Sequence, residues 1–295
     1  MQISLQNSYL RNVKRYLIYI TTLLLVVGCS APQTADKACI YVSIAPLRAL
    51  VEAITEKDFP IEVLVPAGAS PENFEPTPKQ FIAVNEAQWL FSTGLIDFET
   101  TLLAKLRDQA NIVDLSREIP LIAGSCSHHH HGHHHTHGVD PHTWTAPRAL
   151  KTMSRTIYET IHERYPDSVR YTQNFNRLQE KIDSLDRAVE ARFKEAGVAS
   201  FIIYHPALTY YARDYGLRQI AIEEEGKEPS AKRLAELIRT AHMEGIHTVL
   251  VQCQYPTSSV EAVARDMQAE VLVIDPLAED VLENIDRITD IITRK

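Results

Sequence analysis

Glycine is scarce in this chain, 10 residues of 295, and cysteine is scarcer, at 4. The first shortage excludes a collagen-like repeat and the second a disulfide-stapled scaffold. Basic residues are outnumbered, 30 Lys and Arg against 38 Asp and Glu, giving a net charge of −8. A broad nucleic-acid footprint, which needs a basic surface, is therefore not expected. No HExxH zinc-protease signature occurs, and no apolar run reaches the ~20 residues that span a bilayer as a helix. What the chain has is an ordinary 45% of hydrophobic residues, enough for a globular protein, and a length that accommodates two compact units. One residue is in excess. Of 13 histidines, eight fall within the ten residues His128 to His137, which points to metal.

Residues 1–28 carry Arg11, Lys14 and Arg15 but no acid, followed by an apolar run from Tyr16 to Val27 that ends at Gly28-Cys29. This is the pattern of a signal peptide. The tetrapeptide Val26-Val27-Gly28-Cys29 resembles the lipobox of bacterial lipoproteins, which makes Cys29 the expected lipidation site and first mature residue; a plain secretory signal with an incidental cysteine is the alternative. Residues 29–37 then read as a tether of small and polar residues. Cleavage would leave three cysteines, an odd number that cannot all pair internally. Cys39 and Cys253 lie in apolar, strand-like runs and are expected to be buried thiols. Cys126 borders the His tract and is a candidate auxiliary thiolate ligand.

From residue 38 onward, short apolar runs alternate with segments of helical period. Strands are predicted at 40–44, 61–65, 89–93 and 112–115, and again at 201–204, 219–222, 248–252 and 271–274. These runs are apolar on successive residues, which implies sheets covered on both faces and hence a parallel α/β arrangement. Between the two halves, residues 167–196 contain no Gly or Pro. Tyr171, Phe175, Leu178, Ile182, Leu185, Val189 and Phe193 draw one apolar stripe along a helix there. The predicted fold is therefore α/β, with two lobes built on mainly parallel sheets and joined by one long, stiff helix. The expected divisions are 38–165 for the first lobe, with its His-rich loop at 128–137, 166–196 for the linker helix, and 197–295 for the second lobe.

Open parallel sheets bind ligands beyond the carboxyl ends of their strands. Four residues past predicted strands combine two imidazoles with two carboxylates: Glu72, His142, His205 and Asp275. Each alone has an ordinary structural explanation as a surface histidine or a helix cap. Together, two per lobe, they match the donor set for a divalent cation.

Several segments carry a resemblance: Gly68-Ala69-Ser70-Pro71 with Glu75-Pro76-Thr77-Pro78, Asp140-Pro141-His142-Thr143-Trp144, His205-Pro206-Ala207 through Tyr211-Ala212-Arg213-Asp214-Tyr215-Gly216-Leu217 to Glu225-Gly226-Lys227-Glu228-Pro229-Ser230, and Ile274-Asp275-Pro276-Leu277. The chain resembles the metal-specific solute-binding proteins of bacterial ABC transporters that take up zinc or manganese. The resemblance implies a metal held between two lobes, with ligands at positions 142, 205 and 275. It also implies a membrane permease as partner, a monomeric binding component outside the plasma membrane, and no enzymatic activity. One position departs from the family pattern, which has His where this chain has Glu72. Glutamate can bind the same ions through oxygen, and Glu75 or water are the competitors for that place.

The donor set alone also suits the manganese and iron branch of the family. The tract His128, His129, His130, His131, His133, His134, His135 and His137 favours zinc, because imidazole suits Zn²⁺ better than Mn²⁺. Within the family such loops accompany zinc proteins, and this one is expected to be an accessory, weak and multiple metal-binding segment. Two rival readings stand beside transport. One is a cell-surface zinc buffer acting through the tract. The other is a secreted zinc hydrolase with Glu223, Glu224 or Glu225 as general base, although four protein ligands would close the open position that catalysis needs.

Overall fold

The computed structural model describes residues 39–106, 111–123, 138–223 and 229–294. The signal peptide, the tether with Cys29, Cys126, the His tract and the pair Glu224 and Glu225 lie outside the described residues. Two four-stranded sheets organise what is described. The first contains β1 (Ile40–Val42), β2 (Ile61–Val63), β3 (Trp89–Ser92) and β4 (Ile112–Asp114) in the order β2-β1-β3-β4. The second contains β5 (Ser200–Ile203), β6 (Arg218–Ala221), β7 (Thr248–Gln252) and β8 (Glu270–Ile274) in the order β6-β5-β7-β8. All pairings are parallel, as consecutive burial requires: all four residues of β3 are buried.

Helices α1 (Ala45–Thr55), α2 (Pro78–Asn85), α3 (Asp97–Lys105) and α4 (Pro147–Arg164) accompany the first sheet. Helix α5 (Val169–Ala196) follows, and α6 (Thr209–Asp214), α7 (Ala231–Glu244), α8 (Ser258–Met267) and α9 (Val281–Thr293) accompany the second. The strand predicted over 40–44 stops at Val42, because Pro46 opens α1 and its ring is suited to a helix's first turn.

Helix α5 shows how patterning sets position. Ser168 Oγ accepts a hydrogen bond from the Tyr171 amide at its start, and Gly197, at φ 68°, ends it in the left-handed conformation that glycine adopts without strain. At about 1.5 Å per residue its 28 residues extend about 42 Å. Its apolar stripe is buried at Tyr171, Leu178, Ile182, Val189 and Phe193. The helix packs against α1, α4 and α9. Asn174 near its start donates to the Ile54 carbonyl at 2.9 Å, and Arg192 near its end pairs with Asp286 and Asp290 on α9.

One hydrophobic cluster consequently runs from the first sheet through α4 and α5 to Phe201, Tyr210, Tyr211 and α9. A smaller one, including Ile202, Ile222, Leu237, Val249, Val260 and Met267, fills the outer side of the second sheet. Among the described residues, no helix is long and apolar enough to cross a membrane.

The cysteine expectation fails in part. Cys253 is exposed and Cys39 only half-buried. Strand β7 ends at Gln252, as predicted, so Cys253 belongs to the turn past the carboxyl end of the strand and is not held within the sheet.

Candidate metal centre

Each sheet delivers residues to the same place from the carboxyl ends of its strands. Glu72 lies in the loop after β2, in a single 3-10 turn, Pro71–Asn73, whose preceding Ser70 accepts from the Glu72 amide through Oγ at 3.3 Å. His142 precedes another such turn, Thr143–Thr145. Its backbone amide and its Nδ1 both donate to Asp140 Oδ1, each at 2.9 Å, so one carboxylate fixes the loop and the ring together. Trp144 seals this side, donating from Nε1 to the Pro276 carbonyl at 2.9 Å with its ring centroid 5.2 Å from that of His142.

His205 lies two residues beyond β5. Gln252, the last residue of β7, grips its backbone twice, accepting from the His205 amide at 3.3 Å and donating to its carbonyl at 2.6 Å. The ring donates from Nδ1 to Glu223 Oε1 at 2.6 Å. Both imidazoles thus turn Nδ1 to a carboxylate and leave Nε2 facing inward, the arrangement that orients a metal-binding histidine.

The inward atoms meet. The two Nε2 atoms are 3.2 Å apart, and His205 Nε2 is 2.7 Å from Glu72 Oε1. Glu72, His142 and His205 each offer one ligand atom within 4.8 Å of the others, the arrangement among the described residues that could hold a metal ion. The cavity they line has a volume of about 30 Å³, which is room for an ion or a water molecule and too little for an organic substrate. Both imidazoles are 4% exposed, so a charge held between them is largely shielded from solvent.

Asp275 stands apart from this trio. It directly follows β8, but its Oδ1 already accepts from Gln254 Nε2 at 2.8 Å and from the Leu277 amide at 3.1 Å. Glu75 is exposed, and Glu72, with Oε1 2.7 Å from His205 Nε2, is the loop carboxylate that reaches the imidazoles. Glu223 and Asp140 are the residues that strand-end reasoning left without this role. A signal existed for both: Glu223 lies two residues past β6, as His205 does past β5, and Asp140 precedes His142 by the spacing that lets an Asp side chain accept from the backbone two residues on.

The electrostatics follow from these contacts. Burial pushes the Glu72 carboxyl up, but its hydrogen bond to His205 and the charge of both imidazoles outweigh that and hold it at about 2. Burial pushes His205 down, yet its bonds to Glu223 and Glu72 prevail and raise it to about 9. Asp140 is opposed by burial as well and is lowered by the charge and hydrogen bond of His142. Without a metal, the protonated His205 ring bridges Glu223 through Nδ1 and Glu72 through Nε2, and the Nε2 proton occupies the nitrogen an ion would need. Tyr255 donates from its hydroxyl to Glu72 Oε2 at 3.2 Å. Burial and the neighbouring Glu72 and Glu223 carboxylates push that phenol well above its usual range, so it stays a donor.

Over residues 40–293 the chain matches the family model described as zinc-uptake complex component A, periplasmic. A putative metal-binding protein of Chlamydia trachomatis is 28% identical over 273 residues, 91% of this chain and 96% of that one. The high-affinity zinc uptake system protein ZnuA of Bacillus subtilis is 27% identical over 271 residues, 86% of this chain and 85% of that one. A crystal structure of ZnuA superposes with a TM-score of 0.78 at 33% identity, covering 88% of this chain and 98% of that chain. With two parallel α/β sheets, a small shielded cavity between imidazoles and carboxylates, and a family match across nearly all of its described length, the chain belongs to the periplasmic zinc-uptake component family, whose members are binding components of a transport complex and not enzymes.

Proposed function

We propose that the protein captures zinc outside the plasma membrane and delivers it to the permease of an ABC transporter. The observation that carries this reading is the convergence of Glu72, His142 and His205 within 4.8 Å, with Asp140 and Glu223 behind the two rings. Two neutral imidazoles and carboxylate oxygens at about 2.0–2.2 Å are what Zn²⁺ accepts in a tetrahedron. Glu72, His142 and His205 supply three ligands in this reading. Asp275 supplies the fourth, through the oxygen that Gln254 and Leu277 leave unused. The tract 128–137 is an accessory that binds further ions weakly.

Residues 1–28 direct export and Cys29 carries the lipid that keeps the mature monomer at a membrane. Residues 38–165 and 197–295 act as the two lobes, with 166–196 joining them. The ion enters with displacement of the His205 proton, and the permease releases it by distorting the ligand shell.

Calorimetry with zinc and manganese tests this on the mature chain, after metal analysis of protein purified from its own host. One tight zinc site is expected, lost in His205→Ala and retained when residues 128–137 are deleted. Tight binding that disappears with the tract would favour the buffer role. Tight binding that survives both His205→Ala and Asp275→Ala would overturn the ligand set.

A further inference from the structure

The turn after β7 places two adjacent side chains on the two candidate carboxylate ligands. The Tyr255 amide donates to the Gln252 carbonyl at 3.0 Å, closing a four-residue turn over Gln252–Tyr255. Gln254 within it donates to Asp275 Oδ1 at 2.8 Å, and Tyr255 donates to Glu72 Oε2 at 3.2 Å. Tyr255 is aimed by packing. Its ring stacks on His205 with centroids 5.7 Å apart and planes 25° from parallel, and meets Tyr204 edge to face at 5.0 Å. The same turn is anchored at its start by the two Gln252 bonds to the His205 backbone, so the donors and the imidazole move as one piece.

A carboxylate binds an ion through both oxygens only when both are free to face it. Here Glu72 keeps Oε1 toward the imidazoles and has Oε2 engaged, while Asp275 has Oδ1 engaged twice. We infer that Tyr255 and Gln254 are positioning residues that hold Glu72 and Asp275 to one oxygen each, and thereby select zinc over manganese. Two imidazole nitrogens and two single carboxylate oxygens make four donors, which completes a tetrahedral zinc shell. Manganese prefers an oxygen-rich, six-coordinate shell, and the second oxygens of these two carboxylates are the protein donors that would supply it beside the buried imidazoles. The intrinsic preference of such ligands for zinc then adds to a geometric penalty against manganese. This inference rests on the ligand reading above.

The test uses Tyr255→Phe, which removes the hydroxyl and keeps the stacked ring, with Gln254→Met as the second variant, both in the mature chain. Zinc and manganese dissociation constants are measured by competition against a chromophoric chelator. X-ray absorption on each loaded form reads the coordination number. Tyr255→Phe should lower the ratio of zinc to manganese affinity about tenfold, the lower end of effects seen for groups behind metal ligands, and raise the number of oxygens around manganese. Gln254→Met, which leaves the Leu277 amide on Asp275 Oδ1, should shift the ratio the same way by less. An unchanged ratio in both variants, or equal loss of both metals with unchanged coordination, overturns the inference. Glu72→Ala separates the two levels. If it alters neither metal's affinity, Glu72 is not a ligand and both readings fail; if it weakens zinc while Tyr255→Phe leaves the ratio untouched, only the selectivity role fails.

Discussion

The two lobes share one strand order, β2-β1-β3-β4 in the first and β6-β5-β7-β8 in the second, yet they present their site residues differently. In the second, His205 and Glu223 each follow a strand by two residues and Asp275 follows directly, so sheet geometry places them. In the first, Glu72 lies nine residues past the end of β2, and His142 is reached only after a long excursion beyond β4. There the local hydrogen bonds must do what strand ends do in the other lobe. Ser70 under Glu72 and Asp140 under His142 are those substitutes. The same architecture can thus carry a fixed half-site and one built by loop chemistry.

The sharpest way to break this contrast is to remove the two carboxylates behind the rings. Asp140→Ala should weaken zinc binding about a hundredfold and Glu223→Gln about tenfold, the two ends of the range for such residues. Asp140 holds both a ring and a backbone amide, whereas His205 keeps its Gln252 bonds when Glu223 is changed. Isothermal competition titrations would read the order, and equal losses would mean that the loop lobe is as firmly set as the strand lobe.

A comparable effect is expected from pH. Because His205 is raised to about 9 while Glu72 is held at about 2, zinc must displace the His205 Nε2 proton at neutral pH and finds the carboxylate already ionised. Affinity should therefore fall about tenfold for each unit below pH 9 through the neutral range, until other ligands begin to protonate. Metal-free stability runs oppositely on the alkaline side. The raised His205 contributes fully below its unfolded value near 6.5 and loses that contribution as pH rises through 9. The depressed Glu72 contributes above about 4.5 and loses that as pH falls towards 2. Thermal unfolding of the metal-free chain should show the alkaline decline, and His205→Gln should flatten it.

The smallest effect compares two glycines. Gly94, at φ 69°, would place a Cβ 3.1 Å from Asp114 Oδ1, whereas Gly245, at φ 64°, has open space there. Both Ala variants force a left-handed alanine, at about 1 kcal/mol. Only Gly94→Ala also crowds the β4 carboxylate that accepts from Ser116, so it should be about 1 kcal/mol the worse in denaturant unfolding.

How much of this was legible in sequence varied with the range of the forces involved. The sheets and α5 were readable because burial on both faces leaves consecutive apolar residues, and a helix packed along one side leaves a three-and-four spacing. Three of the four candidate metal residues converge because strand ends and short motifs are local. Asp275 satisfies the same strand-end rule and sits apart, since its partner Gln254 belongs to a different strand's turn and no spacing relates 254 to 275. In sequence Glu223 reads only as a possible base for hydrolysis, in a run with Glu224 and Glu225. Its role behind His205 depends on β5 and β6 being paired, with Ile203 opposite Ala221, which sequence order does not state.

The larger hydrophobic cluster crosses from the first sheet through α5 to Phe201 and Ile203 of the second, so one core belongs to both halves. Heating should therefore separate neither half before the other, and a scanning calorimeter should record a single endotherm. An ion bound to residues of both halves then stabilises the entire fold, by an amount that grows with the logarithm of its free concentration. How long a molecule survives thus becomes a measure of how much metal surrounds it.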